Sequence, residues 1–309
     1  MNSRFNVLLF YKYTKISDPE EFRVEHLKLC EKLKLKGRII IASEGINGTV
    51  EGTIKNTEKY IKTLTKDERF SDIHFKKSIG DGKAFPKLSI KVREEIVSAH
   101  LNNDKNPKKL TGNYITPEQL HGLIHSEKKF FIIDMRNDFE HAVGYFKNSI
   151  LAPFKNFRDL PMVLPVLDSL KNETIITVCT GGVRCEKASG FLIQSGFREV
   201  YQLFGGIVSY MEKYPNEDFL GTLYTFDGRV TMGFNLAAPE HVIVGKCKFC
   251  KGSAEKYYDC KNIHCKRKRH FISCDKCIDK NIGFCNQICQ KSSNLESILQ
   301  PSSRIYFGI

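Results

Sequence analysis

Several things are missing from this 309-residue chain. It has no run of 18 apolar residues, so no helix is expected to span a bilayer. It has no long polar tract, and 41% of its residues are hydrophobic, which excludes wholesale disorder and leaves apolar mass for real cores. No internal repeat is visible, which argues against a solenoid. No glycine fingerprint for a flavin or dinucleotide is present, and no dependable two-histidine-one-carboxylate pattern. The opening stretch MNSRFNVLLFYKY has too short an apolar segment for a leader and no small-residue cleavage site. It reads as a first strand, and a cytoplasmic protein is expected. Acidic residues are also short: 35 against 48 Lys and Arg, for a net charge of +13.

The charge is unevenly placed. Residues 1–110 carry 23 basic and 15 acidic side chains, residues 111–244 carry 12 and 15, and residues 245–309 carry 13 and 5. A slightly acidic middle between two basic ends fits a protein that grips a polyanion at both ends and does chemistry between them, nucleic acid before membrane. A lysine-rich surface without function would give the same count.

Local patterns divide the chain. Phe5–Tyr13 reads as a strand, and Asp18-Pro19-Glu20 opens a helix with Phe22, His26, Leu29 and Leu33 on one face. Arg38–Ala42 is a β-branched run. Asn47-Gly48 is the strongest hairpin signal, because both residues tolerate positive φ; Thr49–Thr53 would pair back. Thr57–Leu64 is a second helix, and Asp72–Lys77 and Lys87–Val92 are strands. The order β-α-β-β-α-β predicts an α+β ferredoxin-like domain over residues 1–105. After the polar stretch 102–113, Thr116-Pro117-Glu118-Gln119 starts a new helix. Apolar strands Phe130–Asp134, Thr174–Val178 and Glu199–Leu203 alternate with helices, which predicts a parallel α/β sheet over residues 116–222. Ligands of such sheets sit at the carboxyl ends of strands, where Asp134 and Cys179 fall. A cysteine-rich region follows at 240–292, then a loosely ordered tail at 293–309.

Three of the eleven cysteines are scattered, Cys30, Cys179 and Cys185, and eight crowd into residues 247–289. Cys30 reads as inert core. Cys179 ends a strand and meets Thr180-Gly181-Gly182-Val183-Arg184 at the start of a helix. Glycines let successive N–H groups form an anion-binding nest; the helix N-terminus and the Arg184 guanidinium add positive potential. Such a cradle favours a thiolate and an anionic adduct on sulfur, such as a persulfide. The alternative is a structural cysteine beside a tight turn. Cys-x4-Arg is one residue shorter than the loop of cysteine phosphatases, which suits a sulfane sulfur better than a phosphoryl group. Cys185 is a candidate resolving thiol or a small residue in the first helical turn. Asp134 is a candidate to orient the loop through its N–H groups, or a strand-end turn former. Arg136 is a candidate contact for an anionic substrate, or a surface partner of Asp138 or Glu140. Glu44-Gly45-Ile46-Asn47 would be a hairpin turn or a polar loop for RNA, and Tyr11 and Tyr13 strand packing or base-stacking platforms.

The eight remaining cysteines form four pairs: Cys247 and Cys250, Cys260 and Cys265, Cys274 and Cys277, Cys285 and Cys289. They suffice for two tetrahedral zinc sites of four thiolates each, in sequential or cross-braced arrangement, with His264 or His270 as possible replacements. Disulfides and an iron–sulfur cluster are the alternatives. Lys266, Arg267, Lys268 and Arg269 lie between two of these pairs and are candidate contacts for an RNA backbone, or a solvated basic loop.

Taken together, Asp134-Met135-Arg136, Glu140 to Gly144, the Cys179 loop and Gly205-Gly206 resemble a rhodanese domain in order and spacing. The longer strings CTGGVRCEKAS, FYKY (10–13), EGIN (44–47) and DMRN (134–137) are similar to the oxygen-dependent tRNA uridine-34 hydroxylase family, over nearly the whole chain. The resemblance implies an oxidoreductase that makes 5-hydroxyuridine at the tRNA wobble position, with molecular oxygen as co-substrate. It also implies that Cys179 is the active-site cysteine, of the persulfide-carrying type. Thr180 departs from ordinary sulfurtransferases, which often carry arginine there, and this weakens thiosulfate as a substrate. A rhodanese-type sulfurtransferase and a non-catalytic tRNA-binding protein are the competing readings. No motif names the sulfur or electron donor.

Overall fold

The computed structural model describes residues 4–101, 110–265 and 270–292. The chain forms two compact units, residues 1–241 and 242–309. Among its described residues the first unit holds two five-stranded sheets and two small two-stranded ones. Among its described residues no helix is long and apolar enough to cross a membrane, and the same holds in the second unit.

The front sheet has five strands: β1 (Phe5–Tyr13), β2 (Lys36–Ala42), β3 (Gly45–Thr53), β4 (Lys76–Gly80) and β5 (Leu88–Val92). They lie in the order β4-β1-β3-β2-β5. All neighbours are antiparallel except β2 and β5. The helices are α1 (Pro19–Lys32) and α2 (Ile54–Leu64). Asp18 caps α1 by accepting Glu21 N–H at 2.9 Å, with Pro19 as the first helical residue. Thr53 caps α2. The first four strands and two helices follow the expected ferredoxin-like order, with β5 added beside β2.

Side chains alternate across a strand, and in β1 the two faces have different duties. Leu8 and Phe10 enter the core under the helices, with Phe22, Cys30, Ile39, Tyr60 and Phe70. Leu9, Tyr11 and Tyr13 point the other way, toward the second sheet.

Two local expectations are corrected. Asn47-Gly48 is not the turn: it lies inside β3, opposite Tyr11 and Phe10. The chain reverses at Ser43 and Glu44, and Gly45 supplies the unusual φ of 150°. Gly48 is small for packing, since a Cβ there would stand 2.7 Å from the Phe10 ring. The strand expected at Asp72–Lys77 begins only at Lys76.

The second sheet is wholly parallel: β6 (Asn113–Ile115), β7 (Phe131–Asp134), β9 (Ile150–Leu151), β10 (Thr174–Val178) and β11 (Glu199–Leu203), in the order β6-β11-β10-β7-β9. One face packs on α5 (Leu160–Leu167) and α6 (Val183–Gln194), the other on α3 (Pro117–Ile124) and α7 (Gly206–Lys213). A capping box on Thr116 and Gln119 begins α3. The short α4 (Asp138–His141) follows β7, and β8 (Gly144–Phe146) pairs with β12 (Phe219–Gly221). A further hairpin joins β13 (Leu223–Tyr224) to β14 (Thr231–Met232).

The second unit is small. It contains a hairpin of β15 (Tyr257–Asp259) and β16 (His270–Ile272), and α8 (Asp275–Lys280). Its core is little more than Cys260, Phe271, Phe284 and Cys285.

Candidate active site

Cys179 follows β10 in a loop that glycine makes possible. Gly182 has φ +103° and its N–H donates to Cys179 Sγ at 3.2 Å. The carbonyls of the loop are held from behind by the start of α7: Ile207 N–H donates to Cys179 O at 2.9 Å and Val208 N–H to Thr180 O at 3.1 Å. Gly206 permits this closeness, because a Cβ there would stand 2.7 Å from Cys179 O and from Gly181. With its carbonyls tied to α7, the loop turns N–H groups toward sulfur. Burial alone raises a thiol. Here the Cys185 S–H, the Arg184 charge and the backbone N–H groups of Cys185 and Arg184 outweigh burial and bring the Cys179 thiol down to about 6. Cys185 moves the opposite way, pushed up by its own burial and by the neighbouring Cys179.

Arg184 does not face the solvent. Its guanidinium grips Glu140 with bonds of 2.6 and 2.8 Å and reaches Thr180 Oγ1 at 3.2 Å. Glu140 also accepts Asn137 N–H at 2.9 Å and faces Thr180 Oγ1 at 3.3 Å. Glu140 thus ties the β7 loop to the cysteine loop, one of the two parts for which Asp134 was a candidate. Asp134 instead pairs with Arg136, which donates to it from its N–H, Nε and Nη2. Burial would raise the Asp134 carboxyl, but Arg136 and His141 hold it well below the ordinary carboxylate range. Arg136 has no exposed surface and also donates to Gly144 O at 2.7 Å. Its guanidinium is thus engaged inside the protein, by Asp134 and the Gly144 carbonyl, and not in a surface pair with the Asp138 or Glu140 carboxylate. A buried arginine needs its partners close, and Asp134 with the Gly144 carbonyl supplies them.

The front sheet closes over this loop. Leu9 sits against Gly181, where a Cβ would stand 2.8 Å from its side chain. Tyr11 donates to Glu186 Oε1 at 2.9 Å, and Tyr13 donates to Val183 O at 3.2 Å. Lys187 is buried between Glu44 and Glu95, each at 2.9 Å. Glu44 also accepts Ile96 N–H, so it is turned inward. The EGIN and CTGGVRCEKAS strings therefore meet through Glu44 and Lys187. Lys76, buried and lying 4.6 Å over the Tyr11 ring, is lowered by burial to about 8, against the pull of Cys179 and Glu186.

Between sheet and loop a cavity of about 450 Å³ remains. Cys179, Thr180 and Gly181 line it from one side, with Phe157 and Arg158; Tyr11, Arg38, Asn47 and Phe85 line it from the other, and Phe226 adds an edge. Arg38 and Arg158 are exposed, and neither makes an ion pair among the described residues. No local pattern marks these two arginines, Phe85 or Phe226. Each is ordinary where it stands and becomes notable only when the sheets face one another.

Family models match three stretches of the chain: a UPF0176 acylphosphatase like domain at 5–96, a rhodanese-like domain at 116–213 and a rhodanase C-terminal region at 220–290. A Bacillus cytotoxicus protein named tRNA uridine(34) hydroxylase is 43% identical over 267 residues, 85% of this chain and 82% of that one. A Bacillus mycoides protein of the same name is 40% identical over 299 residues, 96% of this chain and 92% of that one. The chain belongs to the tRNA uridine(34) hydroxylase family. Among solved structures, a rhodanese-like domain protein from Staphylococcus aureus is 31% identical over 32% of this chain and 90% of its own, with a TM-score of 0.28.

The C-terminal region of this family member carries the eight clustered cysteines. They assemble as two interleaved groups: Cys247, Cys250, Cys274 and Cys277 in one, Cys260, Cys265, Cys285 and Cys289 in the other. The first pair joins the third and the second joins the fourth, so the arrangement is cross-braced. Sulfur separations are 3.8 Å for Cys250 and Cys274, and 3.5–3.6 Å among Cys265, Cys285 and Cys289. Four thiolates at about 2.3 Å from a zinc ion stand roughly 3.8 Å apart, whereas a disulfide is about 2.05 Å long. Backbone N–H groups of Phe249, Cys250 and Cys274 point at Cys247 Sγ, and Cys285 N–H donates to Cys260 Sγ at 3.4 Å. Such donors suit thiolate ligands, so the residues fit a metal. His264 and His270 belong to neither group; His270 pairs with Asp259 at 3.0 Å. Lys266, Arg267, Lys268 and Arg269 lie outside the described residues.

Proposed function

We propose that this chain hydroxylates uridine 34 of tRNA at carbon 5 in an oxygen-dependent reaction, with Cys179 as its reactive group. The observation that carries the reading is the placement of a lowered thiol on the wall of a cavity whose opposite wall is a different domain. A single wobble base, unstacked from the anticodon, suits a cavity of this size and its aromatic lining of Tyr11, Phe85, Phe157 and Phe226. Arg38 and Arg158, one from each wall, are positioned to meet phosphates on either side of that base.

Cys179 serves as a thiolate or as the carrier of an anionic sulfur adduct, held by the Gly182 N–H and its neighbours. The Arg184 charge is already engaged by Glu140, so the loop has no spare cation for thiosulfate, which weighs against a plain sulfurtransferase. In the tail, each group of four cysteines holds one zinc ion. The ions supply folding energy to a unit with almost no core and take no part in the chemistry. Lys266 to Arg269, between two ligand pairs in sequence, add charge for the tRNA backbone.

The test is nucleoside mass spectrometry of tRNA incubated with the protein in air and without oxygen. One added oxygen on uridine 34, in air only, is expected. Cys179→Ser should lose the product and keep tRNA affinity; full activity in that variant would remove the cysteine from the mechanism.

A further inference from the structure

At the far end of the parallel sheet, two histidines and two carboxylates converge. α3 leaves the carboxyl end of β6 and runs back along the sheet, and α7 starts against the Cys179 loop and does the same. Their last turns and the segment after α7 therefore meet at the end remote from Cys179. There His121, in the last turn of α3, and His125, at its C-cap, stand one turn apart on one helix face, with ring centroids 4.4 Å apart. Glu217 and Asp218 approach from the segment after α7. His121 Nδ1 is 3.1 Å from Asp218 Oδ2, His125 Nε2 is 3.3 Å from Asp218 Oδ1, and His121 Nε2 is 3.7 Å from Glu217 Oε2. One donor atom from each of the four lies within 4.8 Å of the others.

The setting is that of an oriented ligand set. Tyr214 stacks on the His121 ring at 4.0 Å and 4°, fixing its plane. Tyr210 O–H donates to Asp218 Oδ2 and also faces His121 Nδ1 at 3.1 Å. Hydrogen bonds of this kind hold ligating carboxylates and imidazoles in place. Asp218 is almost fully buried, with 6% of its side chain exposed, whereas His125 and Glu217 are about half exposed at 56% and 48%. The set thus has an anchored inner carboxylate and an open outer edge. Donors bonded at about 2.0–2.2 Å to one ion stand roughly 3.0–3.6 Å apart; His125 Nε2 and Asp218 Oδ1 already have this spacing, and with one donor from each residue inside 4.8 Å small rotations of the half-exposed side chains close the set. Two carboxylates balance a divalent charge, and imidazole with carboxylate selects borderline first-row ions over magnesium or calcium.

We infer that His121, His125, Glu217 and Asp218 form a binding site for a divalent first-row transition-metal ion, separate from the thiolate groups and from Cys179. Bound there, the ion staples the end of α3 to the segment that follows α7. The competing account is a set of hydrogen bonds from the imidazoles to Asp218 without any metal.

Cobalt separates the two. Full-length protein with zinc in its thiolate sites is titrated with Co²⁺ and followed by visible absorption. One Co²⁺ per chain is expected, with a d–d band but no thiolate-to-cobalt charge-transfer band, and a rise in unfolding temperature with Co²⁺ concentration. His125→Ala and Glu217→Gln alter half-exposed side chains and should leave the fold intact; His125→Ala should weaken binding at least about tenfold and Glu217→Gln less. No Co²⁺ uptake outside the thiolate sites, or unchanged affinity in both variants, overturns the site.

Discussion

Cys179 and the tail cysteines are the same residue put to opposite uses. Cys179 stands among backbone donors, with one other thiol beside it as a hydrogen-bond donor. The tail thiols come in fours, with neighbouring sulfurs 3.5–3.8 Å apart. A thiolate held by N–H groups, with no metal bound to it, remains a nucleophile. Four thiolates within reach of one another repel unless a cation sits between them, and once it does they are ligands. Cys179 lines a cavity at the edge of a large core, whereas in the tail two of the four buried residues of a small core are themselves thiols.

The sharpest way to break this contrast is Cys179→Ser. Product formation should fall by more than about a thousandfold, with zinc content unchanged by metal analysis. Next, Glu140→Gln leaves the buried Arg184 without its anionic partner. A loss of about 3–5 kcal/mol in stability is expected, read by chemical denaturation; a loss below about 1 kcal/mol would mean that water reaches the pair. Cys274→Ser should take zinc from two ions per chain to one and destabilise the tail. The rate at which iodoacetamide modifies Cys179 should stay the same, and a large change would tie the two kinds of thiol together.

Smaller effects sharpen the account of the loop. With the thiol lowered to about 6, the thiolate form dominates above that pH. Alkylation of Cys179 should therefore rise through about pH 6 and level off, rather than climb through the range of a free thiol near 8.5. Cys185→Ala removes a donor to the thiolate, so the midpoint should move up. Arg38→Ala and Arg158→Ala should each weaken tRNA binding a few-fold and lower the salt slope by about one, as read by filter binding at several salt concentrations.

The sequence made the strands and caps legible because their signals are local. Asp18 before Pro19, the Thr116 capping box and the apolar runs ending at Asp134 and Cys179 each depend on a few adjacent residues. Asn47-Gly48 misled because one letter serves two needs: glycine for a turn and glycine for close approach look alike until Phe10 is seen beside it. Arg136 misled because charge suggests a surface, while its partners Asp134 and Gly144 are close enough to bury it. The pairing of the tail cysteines was open because spacing fixes which thiols are neighbours in sequence, not which pairs share a centre. Tyr11, Arg38 and Phe85 join the cavity through contacts spanning most of the first unit, and no local pattern records those.

The two faces of β1 carry a consequence for how such a protein could arise. Leu8 and Phe10 belong to the front domain, whereas Leu9 and Tyr11 belong in effect to the cysteine loop of the next. A rhodanese module fused to an arbitrary RNA-binding arm would gain affinity but would lack half of its pocket. The two domains are therefore one heritable unit: recombination between them would part Leu9 from Gly181 and Glu44 from Lys187, and compensating changes would have to cross the same boundary together.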